Sequence, residues 1–152
     1  MKLSGEGGSS ATSALDGTAA GDVWDNFDGT GDITPTGIGT GNNMFMYTLP
    51  TLMDDLSVNI SYLPNTTGAD TAIGYSATFS GVDGLSVSYG TGDGTDSATD
   101  ATAIKASYAY GPVTLAWSSY EYDTTAASSD NDTTSYKVSY TVSDDLSITN
   151  AA

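Results

Sequence analysis

The sequence has no cysteine and no histidine. No disulfide framework can form. Nucleophilic sites of the Cys–His and Ser–His–Asp kinds are excluded by composition, and zinc loses its two commonest ligands. With Asp and Glu as the only strong ligands, a hard cation such as Ca²⁺ is the one metal to consider. Basic residues are almost as scarce: 3 Lys+Arg stand against 19 Asp+Glu, a net charge of −16. Nucleic-acid phosphates need clustered Lys and Arg, so that partner is excluded. The same acidity repels an anionic membrane surface. Long hydrophobic runs are missing too. Hydrophobic residues make up 38% of the 152, and no window approaches the ~18 consecutive apolar residues of a transmembrane helix. "MKL" has the look of the basic start of a signal peptide, but "SGEGGSS" follows where its apolar region should be. Either the protein is not exported, or this chain does not begin at the natural start.

What is plentiful is Gly, Ser, Thr, Asp and Tyr. Residues 1–41 are poor in apolar side chains and hold no sustained period of either kind, which reads as a long loop with a short helical turn near Ala19 to Trp24. From Asn42 the period becomes two. In "LSVNISY", Leu56, Val58, Ile60 and Tyr62 share one face, and Ser57, Asn59 and Ser61 the other. "TAIGYSATF", "LSVSY", "TAIKASYAY", "VTLAW" and "SYKVSYTV" repeat the rule, "NNMFMYTLP" precedes them, and "LSI" opens an eighth strand at Leu146. Alternation of this kind marks strands with one apolar and one polar face. Short turns ("SGVDG", "YGP", "VSDD") alternate with longer polar loops ("LPNTTGAD", "TGDGTDSATDA", "DTTAASSDNDTT"), so the repeated unit is an up-and-down hairpin.

Three features favour a membrane barrel over a soluble sandwich. The polar strand faces carry Ser, Thr, Gly, Ala and Asn, with Lys twice, where a face turned to bulk water would carry Lys, Glu, Arg and Gln in quantity. Charge is almost absent from the apolar faces, where it costs about 2–4 kcal/mol at the bilayer midplane. Tyr62, Tyr89, Tyr110, Tyr120 and Tyr122 stand near strand ends, as interfacial girdles do. One detail conflicts: carried on from Val113, the apolar face takes in Ser119 and Glu121. Either that strand has left the membrane there, or a bulge shifts its register. Ser, Ala and Gly are too small to fill a closed eight-stranded barrel. They suit the wall of a pore of about 16 strands.

These residues resemble the general porins of Gram-negative outer membranes. "NNMFMYTLPTLMDDLSVNISYLP" and "YKVSYTVSDDLSIT" are similar to their strand–turn–strand pattern. "KLSGEGGSSATSALDGTAAGDVWDNFDG" is similar to a strand end followed by the long loop that such porins fold inward. The resemblance spans nearly the whole chain. It implies an all-β, antiparallel up-and-down transmembrane β-barrel, of which this chain holds about eight strands of sixteen plus the inward-folded loop. Residues 1–152 then form one domain, with the strand end and constriction loop in 1–41 and the hairpin meander in 42–152. The implied setting is the bacterial outer membrane, with outer-membrane lipid around a homotrimer. As a part of such a barrel the chain would expose two strand edges, so in isolation it is expected not to make stable pores.

The resemblance implies a passive channel for small hydrophilic solutes and ions, cation-preferring, with no enzymatic activity and no cofactor. The candidate constriction residues are the loop acids Asp16, Asp22, Asp25, Asp28 and Asp32, which would narrow the lumen and attract cations. Lys105 and Lys137 fall on the polar face by alternation and could set a transverse field against those acids. The bland reading of each is ordinary too: Asp is common in turns, and Lys on surfaces. Asp93, Asp96, Asp100, Asp130 and Asp132 form a second acidic group in the polar loops, where Ca²⁺ would find suitable ligands. "GTGDGTD" is faintly similar to calcium-binding β-roll repeats, but it does not recur at their period. The competing class is a soluble acidic β-rich surface or adhesin module. An enzyme using carboxylate pairs is a distant third, since nothing places two acids such as Asp25 and Asp28 across a cleft.

Overall fold

The computed structural model describes residues 1–8, 10–15, 19, 42–50, 53–64, 71–94, 100–123, 130–143 and 146–151. They form one nine-stranded antiparallel sheet whose spatial order is its chain order. The strands are β1 (Lys2–Ser4), β2 (Met44–Thr48), β3 (Leu56–Leu63), β4 (Ala72–Val82), β5 (Leu85–Asp93), β6 (Asp100–Tyr110), β7 (Val113–Asp123), β8 (Asn131–Ser143) and β9 (Leu146–Ala151). Eight of them are the strands that the alternation marks, and β1 is the strand end before the long loop. Among the described residues the sheet is not closed: β1 and β9 each pair on one side only. No described helix is long and apolar enough to cross a membrane, which says nothing of strands.

The short turns sit where the sequence asks for them. Val82 pairs with Leu85 across Asp83 and Gly84, and Gly84 has φ +75°, the left-handed region glycine tolerates. A side chain there would also collide with the Ala109 carbonyl. Gly84 O in turn accepts the Ala109 amide at 2.8 Å, and Pro112 O accepts the Thr141 amide at 2.8 Å, so each tight turn is stitched to the next strand. The one departure from ladder register in β4–β5 falls between Phe79 and Val82, beside that turn.

A short 3₁₀ turn spans Ala11–Leu15; of the helical turn expected near Ala19 to Trp24, all but Ala19 lies outside the described residues. Residues 10–15 and Ala19, here called the strap, lie against one face of β3–β8. That face, the inner face, holds the two buried apolar clusters found among the described residues. Leu15 packs with Ala103 and Tyr120, and Met44 packs with Leu63 and Ala72.

Candidate functional site

The ladder register assigns each strand residue to a face. On the inner face stand Ser61, Gly74, Ser76, Ser88, Gly90, Ala103, Lys105, Ser118, Tyr120, Ser135 and Lys137. Small neutral groups dominate, and hydroxyls pair along the rows. Thr78 and Ser88 are 3.0 Å apart, Ser118 and Ser135 2.7 Å, and Ser139 and Thr149 3.0 Å. The strap uses this surface as a hydrogen-bonding wall. The Ala11 amide donates to Ser61 Oγ at 2.9 Å. The Ala19 amide donates to both Ser118 Oγ (2.8 Å) and Ser135 Oγ (3.0 Å). The Tyr120 hydroxyl donates to the Leu15 carbonyl. Among the described residues no buried polar side-chain atom lacks a partner.

The opposite, outer face is apolar and exposed. Tyr62, Tyr75, Val87, Tyr89, Tyr108, Leu115, Trp117, Tyr136, Val138, Tyr140, Val142 and Ile148 are all at least a third exposed. Tyr108 and Tyr110 stack there with ring centroids 6.4 Å apart. A continuous apolar surface of this size on a soluble protein would mark a partner or an aggregation hazard. On a sheet whose other face is polar it marks lipid.

The upper edge of this band is inclined to the ladder. On β3 the last outer apolar residue is Tyr62, on β4 Ile73, on β5 Tyr89, on β6 Ile104, on β7 Trp117 and on β8 Tyr136. The ladder row of Tyr136 runs through Trp117, Ala106, Val87 and Phe79 to Leu56, six residues below Tyr62 on β3. The edge therefore drops six residues over five strands, about 1.2 per strand. With ~3.3 Å per residue and ~4.8 Å between strands, that slope is about 40°. Strands of membrane barrels tilt by about 35–45°. Above the edge the same outer face turns acidic, at Asp93, Asp100, Glu121, Asp123 and Asp132. The Ser119–Glu121 conflict is thereby resolved: the register of β7 against both neighbours is continuous, with no bulge, and the strand has risen out of the band.

The strap keeps to the same incline. It touches β3 at Ser61, whose row reaches Tyr122 on β7, and it bonds β7 at Ser118, four residues lower. Over four strands it drops about one residue per strand, so it runs level with the band and crosses the ladder rows obliquely.

The sequence-derived candidates divide. Lys105 and Lys137 are both on the inner face, each directly after the last outer apolar residue of its strand (Ile104 on β6, Tyr136 on β8), and so at one height. A recess of about 160 Å³ opens between Ala19 and the wall, lined also by Ser86, Ser88, Lys105, Ser107 and Ala116. Lys2, the third basic residue, pairs with Met46 and shares the face. The alternation missed Lys2 because three residues are too few to show a period. Asp16, Asp22, Asp25, Asp28 and Asp32 lie outside the described residues, as does Asp96. Asp93 and Asp100 are direct partners across β5–β6. Among the described residues no three acids approach closely enough to hold a metal ion.

The aromatic girdle needs a correction. Tyr62, Tyr89 and Tyr110 are exposed on the outer face, but Tyr120 is 6% exposed on the inner face under the strap, and Tyr122 shares its parity. Counting from Val113 already places them opposite Trp117; proximity to a strand end does not fix the face.

The family described as Gram-negative porin matches residues 4–151 of the chain. No curated protein and no solved structure matches it. The chain belongs to the Gram-negative porin family: its sheet is part of a transmembrane β-barrel, and its place is the bacterial outer membrane.

Proposed function

We propose that this Gram-negative porin chain forms wall and constriction of a passive channel for small hydrophilic solutes and ions, with a preference for cations. The observation that carries the reading is the two-faced sheet. One face offers lipid an inclined apolar band, and the other offers water a surface of Ser, Gly, Ala and Lys on which the strap lies. Such a surface performs no chemistry. It binds weakly and nowhere in particular, which is what diffusion through a pore requires.

The strap enters the lumen ahead of Asp16, Asp22, Asp25, Asp28 and Asp32, and these acids supply the negative side of the constriction. Lys105 and Lys137, at one height on the wall, supply the positive side. The transverse field between them orients dipolar solutes, and the excess of acids, within a chain of net charge −16, favours cations. The working assembly is a homotrimer. The soluble adhesin reading is disfavoured by the apolar outer face, and an enzyme by the porin family match.

The test is the reversal potential of the complete barrel that includes this chain, purified from outer membranes and inserted in planar bilayers, under a KCl gradient. A stepwise, ohmic, cation-selective conductance is expected. Absence of steps, or migration as a detergent-independent soluble protein, contradicts the reading.

A further inference from the structure

The strap meets the wall at a place where the wall has no side chains. Gly74 lies beneath Ala11 and Thr12. A Cβ added to it would sit 2.7 Å from Ser61 Oγ and 3.8 Å from the Ala11 nitrogen. Gly92, its direct ladder partner, faces the Thr12 methyl at 3.6 Å on the same basis. Gly90 is the tightest of the three: a Cβ there would overlap Leu15 Cδ1. Leu15 is 2% exposed, among the most buried side chains of the chain, and it reaches Ala103 on β6 and Tyr120 on β7 beside the glycine.

None of these glycines needs glycine for its backbone. All three sit inside regular strands and none has positive φ. Glycine in a strand interior is unfavourable in itself and often marks close approach of another chain segment. Here that segment is the strap. Leu15 fills the gap left by the missing side chain at Gly90, and the Tyr120 hydroxyl closes over it onto the Leu15 carbonyl.

We propose that Gly90 is a size-selected socket for Leu15, with Gly74 giving room to Ala11 and Thr12, and that this plug positions the strap and so sets the conductance and ion selectivity of the pore. The inference rests on the channel reading. Gly90 and Leu15 are positioning residues: neither is charged and neither need touch a solute. Their contact helps fix how the strap stands beside Lys105, which lines the recess at Ala19. The plug is held by shape, which salt does not screen, whereas the field it positions is ionic.

The experiment is a size-swap pair read by conductance and reversal potential, with heat-modifiable gel migration as the control for a folded barrel. Gly90→Ala is expected to push Leu15 out of the socket, raise conductance and lower cation preference. Adding Leu15→Ala to Gly90→Ala is expected to return both values toward wild type, because the smaller plug accepts the methyl. A folded Gly90→Ala protein with unchanged conductance and selectivity overturns the proposal, as does a double variant no closer to wild type than Gly90→Ala alone. If Gly90→Ala does not fold, Leu15→Ala alone is read: it should give larger current fluctuations than wild type, and a Leu15→Ala trace as quiet as that of wild type overturns the proposal. A complete wild-type barrel that conducts nothing removes the channel reading instead. The plug is then read at the Ala19 amide, whose hydrogen exchange should speed up about tenfold in Gly90→Ala and recover in the double variant.

Discussion

Tyr120 on β7 donates its hydroxyl hydrogen to the carbonyl of Leu15, a residue 105 positions earlier in the chain. The bond joins the wall to the strap across the inner face, and it is buried. It explains why a tyrosine near a strand end is absent from the lipid-facing girdle.

Removing that hydroxyl leaves the Leu15 carbonyl without its donor. Tyr120→Phe should cost about 1–3 kcal/mol of local strap stability while the barrel stays folded. The expected readout is a noisier open channel with unchanged heat-modifiable migration. An unchanged current trace would show that the strap is held elsewhere.

The Ala19 amide has two acceptors, Ser118 Oγ and Ser135 Oγ, and these touch each other at 2.7 Å. Ser118→Ala or Ser135→Ala alone leaves one acceptor and should cost less than about 1 kcal/mol. The double variant strands a part-buried amide and should cost more than the two single losses combined, by about 1 kcal/mol. Hydrogen exchange at Ala19 measures the coupling, and simple additivity would contradict the shared-acceptor geometry.

Tyr75 and Glu121 lie in one ladder row, through Thr91 and Thr102, yet the inclined band includes Tyr75 and leaves Glu121 above it. Tyr75→Lys should therefore destabilise the protein in lipid by about 2–4 kcal/mol and Glu121→Lys by about 0–1 kcal/mol. Denaturant titration in phospholipid vesicles measures both. Equal costs would mean that the band runs along the rows and that the strands are not tilted.

Lys105 and Lys137 stand two strands apart at one height, about 12 Å along the wall at this spacing and tilt. Lys105→Glu and Lys137→Glu should each raise the cation-to-anion permeability ratio, and the double variant should raise it further. Reversal potentials in asymmetric KCl report it, and a double variant no more cation-selective than wild type would take both lysines out of the conduction path.

Most of the sheet was legible from period-two alternation because most strands keep one apolar and one small-polar face along their length. Leu56–Tyr62 and Tyr136–Val142 are the clearest cases. The tilt was not legible. It resides in the register between strands, and alternation within one strand carries no register. That is why Glu121 looked like a conflict in the sequence and is an ordinary headgroup-level acid in the structure. The strap was legible as a loop but its seat was not, since Gly74 and Gly90 read as polar-face fillers until Leu15 is seen above Gly90. Of the candidate site, Lys105 and Lys137 fell on the expected face, while the loop acids lie outside the described residues.

The absence of native cysteine makes the most direct test of the two-faced wall clean. Val87 and Ser88 are neighbours on β5 with opposite faces. Each is replaced in turn, as Val87→Cys and Ser88→Cys, and a charged, membrane-impermeant thiol reagent is added while current is recorded. Ser88→Cys should react and reduce the conductance, and Val87→Cys should not react until detergent replaces the lipid. Equal reaction at both positions, or a reacted Ser88→Cys with no change in current, would contradict the account.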